Sequence, residues 1–455
     1  MNTLIAIAVL GVIVLLAEIF NLRKAIIPVT IAGLIATLGL TVTDFGVSES
    51  HYNNMIKVNN FTVTFSSLFI VLTIFLITLS ANFYQDRASK ISDFVSIKLF
   101  LLAGAVSMVS FGNLAMFFLG IEVLSISLYI LAGSDRLNIK SNEAGMKYFL
   151  MGSFASGIIL FGIALIYGAV GSFDMDMIYE ASNSATTVDW FYIGVSMITV
   201  GMLFKIATVP FHFWAPDVYE GAPALTTATM STLAKVTAMA TFFKLNQAMN
   251  GNMKFEYELV IVIVAIASMT VGNIMALRQN NIKRMLAFSG ISHAGFMLMA
   301  LLNLQNATGS LFYYTAAYGL AGIAAFTVIL YVCKGKDNEN IENFNGLGKR
   351  SPLMAGILTA SLLSMAGIPI FSGFFAKFFL LNQVLQAGWL ILVIAGVINS
   401  MLAVYYYFKV ISAMYTKEAT EEATKVPFEF YIVAVLAIGL NIAIGIFPSA
   451  LMDLF

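Results

Sequence analysis

Apolar runs long enough to cross a bilayer recur along the whole chain, separated by short polar stretches that carry most of its charges. A helix of ~20 apolar residues covers the ~30 Å hydrocarbon core, so the pattern predicts about fourteen transmembrane helices. They start near residues 2, 25, 61, 93, 112, 143, 189, 223, 257, 282, 310, 352, 389 and 428. Only helices or closed barrels satisfy every backbone group in lipid, and the alternating segments of a barrel are not seen. The expected fold class is therefore all-α and polytopic.

Two of these helices are interrupted. The seventh runs into Lys205-Ile-Ala-Thr-Val-Pro210-Phe-His212-Phe-Trp-Ala-Pro216, and the twelfth contains Ala366-Gly-Ile-Pro369-Ile-Phe-Ser-Gly373 just before Lys377. Each proline removes a backbone donor and clashes with the preceding turn. Ordinary proline kinks would explain either break alone. A lysine beside both breaks favours a second explanation, paired discontinuous helices in two halves of an inverted-repeat transporter.

Composition agrees with the pattern. The 455 residues are 60% hydrophobic and 11% charged, with mean hydropathy +0.89, against roughly 45–50% apolar content in soluble proteins. The single cysteine, Cys333, excludes a disulfide framework or a cysteine-ligated iron–sulfur cluster within this chain. The first apolar run, Asn2 to Phe20, has neither a basic leader nor a small-residue cleavage site and is expected to be a retained span.

The formal net charge of +0 hides a strong asymmetry between alternate connections. Arg23, Lys24, Arg87, Lys90, Arg136, Lys140, Arg278, Lys283, Arg284, Lys334, Lys336, Lys349, Arg350, Lys417 and Lys425 fall on one side, and Lys57 and Lys254 on the other. The positive-inside rule makes the rich side cytoplasmic. Both termini and the connection with Asp174, Asp176, Glu180 and Asp189 are then expected outside.

Glu122, Lys205, Lys235 and Lys377 lie inside spanning stretches, where one charge costs at least ~2.5–3.5 kcal/mol. Such groups normally face a bundle interior or hydrated cavity and mark an ion path. Ser125 and Tyr129 share the helical face of Glu122, and Lys205 is its expected partner, either for coupling or as a static ion pair. Lys235 is followed back along its helix by Thr232, Ser231 and Thr227, a stripe that could hold water or simply pack. His293 could relay protons or be a satisfied core histidine. Lys147, about one turn into its helix, could take part or snorkel to the surface, and His212 could orient the break. Other chemistry fails on spacing. No His-Glu-x-x-His pair exists, Gly346-Leu-Gly-Lys349 lacks the phosphate-loop pattern, and no dinucleotide fingerprint follows a strand.

The run Phe204-Lys205-Ile-Ala-Thr-Val-Pro210-Phe-His212-Phe-Trp-Ala-Pro216-Asp217-Val-Tyr-Glu220-Gly-Ala-Pro223, then Ser231-Thr-Leu-Ala-Lys235, resembles the antiporter-like subunits of bacterial complex I, the proton-pumping NADH:quinone oxidoreductase. Lys283-Arg284-Met-Leu-Ala-Phe-Ser-Gly-Ile-Ser-His293-Ala-Gly and Gly367-Ile-Pro369 through Gly373-Phe-Phe-Ala-Lys377-Phe extend the likeness over most of the chain. Lys377 stands where one member of that family would carry glutamate, and the chain stops at Phe455 without the long lateral helix of another.

The resemblance implies three N-terminal helices over 1–92 and inverted five-helix repeats over 93–250 and 251–416, with a last helix in 417–455. It implies Glu122 and Lys205 as a coupling pair, Lys235 as central proton carrier, His293 as a bridge, Lys377 as exchanger at the second half-channel, and Lys147 as a further family lysine. It also implies no cofactor in this chain, with FMN, iron–sulfur clusters and quinone in partner subunits. The expected partners are the other membrane subunits and lipids, with no nucleic acid, in the bacterial inner membrane. The expected function is proton translocation driven by NADH oxidation and quinone reduction elsewhere in the complex. A stand-alone cation/proton antiporter and a purely structural scaffold are the competing classes.

Overall fold

The computed structural model describes residues 2–84, 91–184, 188–250, 255–336, 338–419 and 425–454. The expectations for Arg87, Lys90, Lys254 and the end at Phe455 fall outside the described residues. The chain begins with α1 (Asn2–Ile19) and α2 (Arg23–Thr43), followed by a hairpin of β1 (Glu49–His51) and β2 (Ile56–Val58). Next come α3 (Asn60–Phe83), α4 (Ile91–Ser110), α5 (Leu114–Ala132), α6 (Ile139–Val170) and the short α7 (Met175–Ser182). The central part holds α8 (Asp189–Lys205), α9 (Trp214–Gly221), α10 (Ala224–Thr229), α11 (Lys235–Met249), α12 (Phe255–Leu277), α13 (Ile282–Leu298) and α14 (Thr308–Val332). The chain ends with α15 (Leu347–Arg350), α16 (Pro352–Ala366), α17 (Ser372–Gln386), α18 (Leu390–Thr416), α19 (Phe428–Ile446) and α20 (Ser449–Met452).

Among the described residues, 11 helices are long and apolar enough to cross a membrane. The three remaining predicted crossings coincide with divided or irregular helices: α8 with α9, α10 with α11, and α16 with α17. Helix starts follow the sequence expectation closely, the largest difference being α6, expected near 143 and observed at Ile139. Several starts are fixed by side-chain caps. Asn59, Asn113 and Asn281 accept from the backbone N–H of Thr62, Met116 and Arg284 at 2.9, 2.8 and 3.1 Å, satisfying a donor that the helix itself leaves open.

Two elements were not expected. The hairpin pairs Ser50 with Lys57, and α7 lies in the acidic connection, so the chain is not wholly helical. Lys57 Nζ contacts Asp176 Oδ1 at 2.6 Å, and Asn54 Nδ2 donates to Asp174 Oδ2 at 2.6 Å. These contacts clamp the hairpin to α7.

The breaks correspond closely. α8 ends at Lys205, and the segment after it contains Ala207 at φ 59° and a cis Val209–Pro210 bond. Trp214 Nε1 donates across the gap to Phe204 O at 3.0 Å. α16 ends at Ala366, followed by Gly367 at φ 89° and Ile370 at φ 88°; glycine adopts that region freely, whereas isoleucine does so only under surrounding constraint. The expectation that Pro216 also interrupts the helix is overturned. It is the third residue of α9, where no intrahelical donor is required. The third irregularity had no sequence signal: Met230–Ala234, between α10 and α11, is π-helical and ends directly before Lys235.

Burial locates the centre. The most apolar windows of α13 and α14 are 100% and 94% buried, against 28% for α1 and α2, so the first two helices are peripheral and the interior lies around α13 and α14. Close helix approach occurs where α6 meets α8, because a Cβ on Gly162 would lie 2.7 Å from Gly194 O, the small-residue packing that membrane helices favour.

The Lys57 hydrogen bond holds the Asp176 carboxyl below its usual value of 3.8. The clamp's contribution is therefore complete above that value and is lost as pH falls through the lowered one. Because Asp176 is exposed and Lys57 only half-buried, solvent screens the pair, and Lys57→Ala is expected to loosen the hairpin by no more than ~1 kcal/mol at neutral pH. Amide exchange at β1 and β2 should speed up less than ~10-fold, the factor for 1.4 kcal/mol; global unfolding of the hairpin and α7 would contradict this.

Candidate proton-relay site

The site is assembled where helices stop being regular. Lys205 is the last residue of α8, and its Nζ donates to Ser125 Oγ at 2.8 Å, Ser156 Oγ at 3.3 Å and Tyr129 OH at 3.4 Å. No salt bridge to Glu122 is made, so the static ion pair weighed for these two residues is not formed. Ser125, one turn on along α5, takes the amine instead, while Glu122 Oε1 is buried with no hydrogen-bond partner among the described residues. Glu122 remains a neighbouring charge of Lys205.

Lys235 is 4% exposed, and its Nζ donates to Gly290 O at 2.7 Å. The hydroxyls behind it are already engaged: Thr232 bonds Ala228 O at 2.7 Å, Thr227 bonds Tyr219 O at 2.8 Å, and Ser231 lies 3.3 Å from Tyr318 OH. Part of the expected hydroxyl stripe is thus ordinary helix packing, and only Ser231 faces another titratable side chain. The π-helical turn shifts the register that simple four-residue spacing assumed.

His293 lies one turn beyond Gly290 on α13. Its Nδ1 is 2.7 Å from Tyr314 OH and its Nε2 3.2 Å from Tyr407 OH, which in turn is 2.5 Å from Ser289 Oγ. Both ring nitrogens therefore have phenol partners, and a neutral imidazole can donate through one and accept through the other. Lys377, one turn into α17, reaches back to Ala366 O at 2.8 Å, the carbonyl at the end of α16, where a helix favours a cation. His293 and Lys377 line one cavity with Tyr314, Tyr318 and Ser364, in which about 10 Å³ is open to water centres, close to the ~10–15 Å³ that one water needs.

Apart from Tyr129, the sequence expectation missed the phenols that lie between these groups. Tyr129 and Tyr148 have ring centroids 4.8 Å apart, Tyr148 stacks on Trp214 at 4.6 Å, and Trp214 meets Tyr219 at 6.3 Å. On the far side of Lys235, Tyr318 lies 4.8 Å from the His293 ring. Tyr314 and Tyr318 share one face of α14 by four-residue spacing, a signal that was available. Also missed were Lys98, 2% exposed and bonded to Ser80 Oγ at 2.7 Å, and Lys244, bonded to Val109 O at 2.6 Å.

Lys147 lies apart from this line. Its Nζ pairs with Glu143 at 2.6 Å and Asp217 at 3.1 Å, in a surface cluster where Arg284 also binds Asp217 at 2.7 Å and Glu220 at 3.1 Å. His212 sits in the first break, its ring 4.4 Å from Phe213 and its Nδ1 without a hydrogen-bond partner among the described residues. Among the described residues no group of three or more His, Cys, Asp or Glu side chains could hold a metal ion.

Broken helices in two halves, with buried lysines at the irregular points, define an antiporter-like membrane subunit. The pattern of the NADH:quinone oxidoreductase/Mrp antiporter transmembrane family matches residues 112–403. A curated Flavobacterium johnsoniae relative, NADH-quinone oxidoreductase subunit N, is 67% identical over the full length of both chains, and the Cytophaga hutchinsonii subunit N is 42% identical over 100% of this chain and 99% of that one. Among solved structures, a chain of Thermus thermophilus respiratory complex I with bound Aureothin matches with TM-score 0.87 and 27% identity, over 99% of this chain and 98% of that one. A chain of the Mrp complex from Dietzia matches with TM-score 0.85 at 22% identity, covering 99% of this chain and 94% of that one, a likeness of fold alone. The chain belongs to the NADH:quinone oxidoreductase/Mrp antiporter transmembrane family and, within it, to the family of NADH-quinone oxidoreductase subunit N.

A Cβ at Gly290 would fall 2.9 Å from Lys235 Nζ and 3.2 Å from Tyr318 OH. Gly290→Ala is therefore expected to displace the amine by a few tenths of an ångström and slow proton translocation several-fold while the complex still assembles. Translocation by vesicles at the wild-type rate would show that the position of this amine does not matter.

Proposed function

We propose that protons cross the membrane through the buried line Lys205, Lys235, His293 and Lys377, in a membrane subunit of NADH:quinone oxidoreductase whose redox chemistry belongs to its partners. FMN, iron–sulfur clusters and quinone are assigned to those partners, and both termini of this chain to the outer side of the inner membrane. Fourteen crossings follow when the three divided or irregular segments are each counted as one. Residues 93–250 and 251–416 are then two inverted repeats, each with one broken helix.

One observation carries the reading. Among the described residues, Lys205, Lys235 and Lys377 form no ion pair; their amines donate to hydroxyls or backbone carbonyls. A static structural pair would hold its lysine charged beside a carboxylate. A carbonyl accepts from an ammonium and from a neutral amine alike, so the proton can leave without stranding an opposite charge. Moving one charge against ~100 mV takes about 2.3 kcal/mol, a scale that a neighbouring charge such as Glu122 can supply when it is switched. Lys147 takes its place at the lysine-rich mouth, within the Glu143, Asp217 and Arg284 cluster.

Lys235→Met tests this directly. The complex is expected to assemble, as read by mass spectrometry of the affinity-purified assembly, with NADH-driven proton translocation falling to below about a tenth of wild type. Wild-type translocation by the assembled variant would favour a scaffold role. Cation/proton exchange by the purified chain without NADH or quinone would favour a stand-alone antiporter.

A further inference from the structure

The lysine-rich face holds a cavity of ≈ 400 Å³ lined by residues that include Lys140, Glu220, Ala222, Lys283, Cys333 and Glu339. Lys283 lies in the first turn of α13 and is 2% exposed, the most deeply buried charge facing this space. Its Nζ is held between Glu339 Oε1 at 2.7 Å and Ala222 O at 2.9 Å. Ala222 immediately precedes Pro223 and α10, the segment that leads to Lys235. Glu339 sits in a connection between helices whose backbone is tied to α13 by Ile282 N–H to Glu339 O at 2.8 Å. Its Oε2 lies 3.5 Å from Asn281 Nδ2, so only its side chain needs to rotate to release Lys283.

The face of α13 completes the geometry. Lys283 and Gly290 are seven residues apart and therefore point the same way, about 10 Å apart along the axis at 1.5 Å per residue. Gly290 O accepts from Lys235 at 2.7 Å, and His293 follows one turn later. A single helix face thus carries the cation at the cavity floor, the acceptor of the central amine and the bridging histidine.

We propose that the Lys283–Glu339 pair is the gate by which protons from this cavity reach Lys235. The inference rests on Lys235 being a proton carrier. A proton from cavity water binds the Glu339 carboxylate and cancels the charge that holds Lys283. The Lys283 ammonium then gives its proton, through water along the α13 face, to the neutral Lys235 amine. The Glu339 carboxyl reprotonates the Lys283 amine and the pair re-forms, so the net result is one proton moved inward from the cavity. Lys283 also keeps its bond to Ala222 O when the carboxylate is neutral, which holds the side chain in place during the exchange.

The test uses the whole complex in membrane vesicles. Glu339→Gln is expected to assemble and to lower NADH-driven translocation about tenfold or more, with a larger slowing in heavy water than wild type shows; Glu339→Asp should restore most of the rate. A purely structural pair would change assembly or thermal stability and leave the isotope effect unmoved. A second arm needs no change to the pair. Cys333, the only cysteine of the chain, lines the cavity, so a bulky charged thiol reagent applied to wild-type complex should slow translocation, and Cys333→Ser should abolish that sensitivity.

If assembled Glu339→Gln translocates at the wild-type rate while Lys235→Met does not, the gate is wrong and the role of Lys235 stands. If both translocate normally, the reading of Lys235 fails and the gate with it. If Glu339→Gln does not assemble, the reagent decides: unchanged translocation after Cys333 is modified overturns the proposal.

Discussion

The arrangement depends on holding Lys205, Lys235 and Lys377 inside a membrane protein on neutral acceptors, with no carboxylate bonded to any of the three amines. Hydrocarbon makes a lone ammonium expensive, and a buried ion pair would relieve that cost by locking the proton in place. The chain uses broken or underwound helices instead. Lys205 ends α8, Lys235 follows a π-helical turn, and Lys377 reaches back to the last carbonyl of α16. Lys205 donates to side-chain hydroxyls, Lys235 to the mid-helix carbonyl of Gly290, and Lys377 to the carbonyl that ends α16, where a helix lacks intrahelical partners. Each acceptor is a neutral dipole that stabilises charge without demanding it.

The two faces of the molecule use charge differently. On the lysine-rich face, Lys147, Arg284, Asp217 and Glu220 form a network around the end of α9, and Lys283 with Glu339 forms a pair at the adjoining cavity. On the opposite face the hairpin and α7 are joined by Lys57, Asn54, Asp174 and Asp176. Full ion pairs thus lie at the ends of the helices, and amines on neutral acceptors lie between them. The Lys147, Arg284 and Lys57 pairs anchor structure, whereas the Lys283–Glu339 pair and the amines on neutral acceptors are the places where, in our proposal, a proton changes hands.

Most of the helical pattern was legible in the sequence, because apolar runs set by bilayer thickness leave little freedom in where a helix begins. Both breaks were legible from Pro210 and Pro369 beside lysines. Pro216 misled, since its effect depends on its position within α9 and the helix start could not be located from composition. The hairpin escaped notice because its strands are only three residues long. The π-helical turn escaped because nothing in Met-Ser-Thr-Leu-Ala distinguishes it from ordinary helix. At the site, Glu122, Lys205, Lys235 and Lys377 were legible as charges inside spans, whereas Lys98, Lys244 and most of the hydrogen-bond partners were not. Lys205 turns to Ser125 rather than Glu122, and Tyr407 approaches His293 from α18, far along the chain. Tertiary contacts of that kind carry no local periodicity.

The central claim, that Lys235 works because no fixed negative charge faces it, is tested most directly by supplying one. Ser231 lies 3.3 Å from Tyr318 OH, and that hydroxyl and the Lys235 amine lie 3.2 and 2.9 Å from where a Cβ on Gly290 would fall, so Ser231→Asp places a carboxylate in the immediate surroundings of that amine. The account predicts an assembled complex whose electrogenic proton translocation, followed by a pH-sensitive dye in vesicles, falls about tenfold or more because the proton is locked on the lysine. Assembled Ser231→Asp complex that translocates protons at the wild-type rate would contradict it.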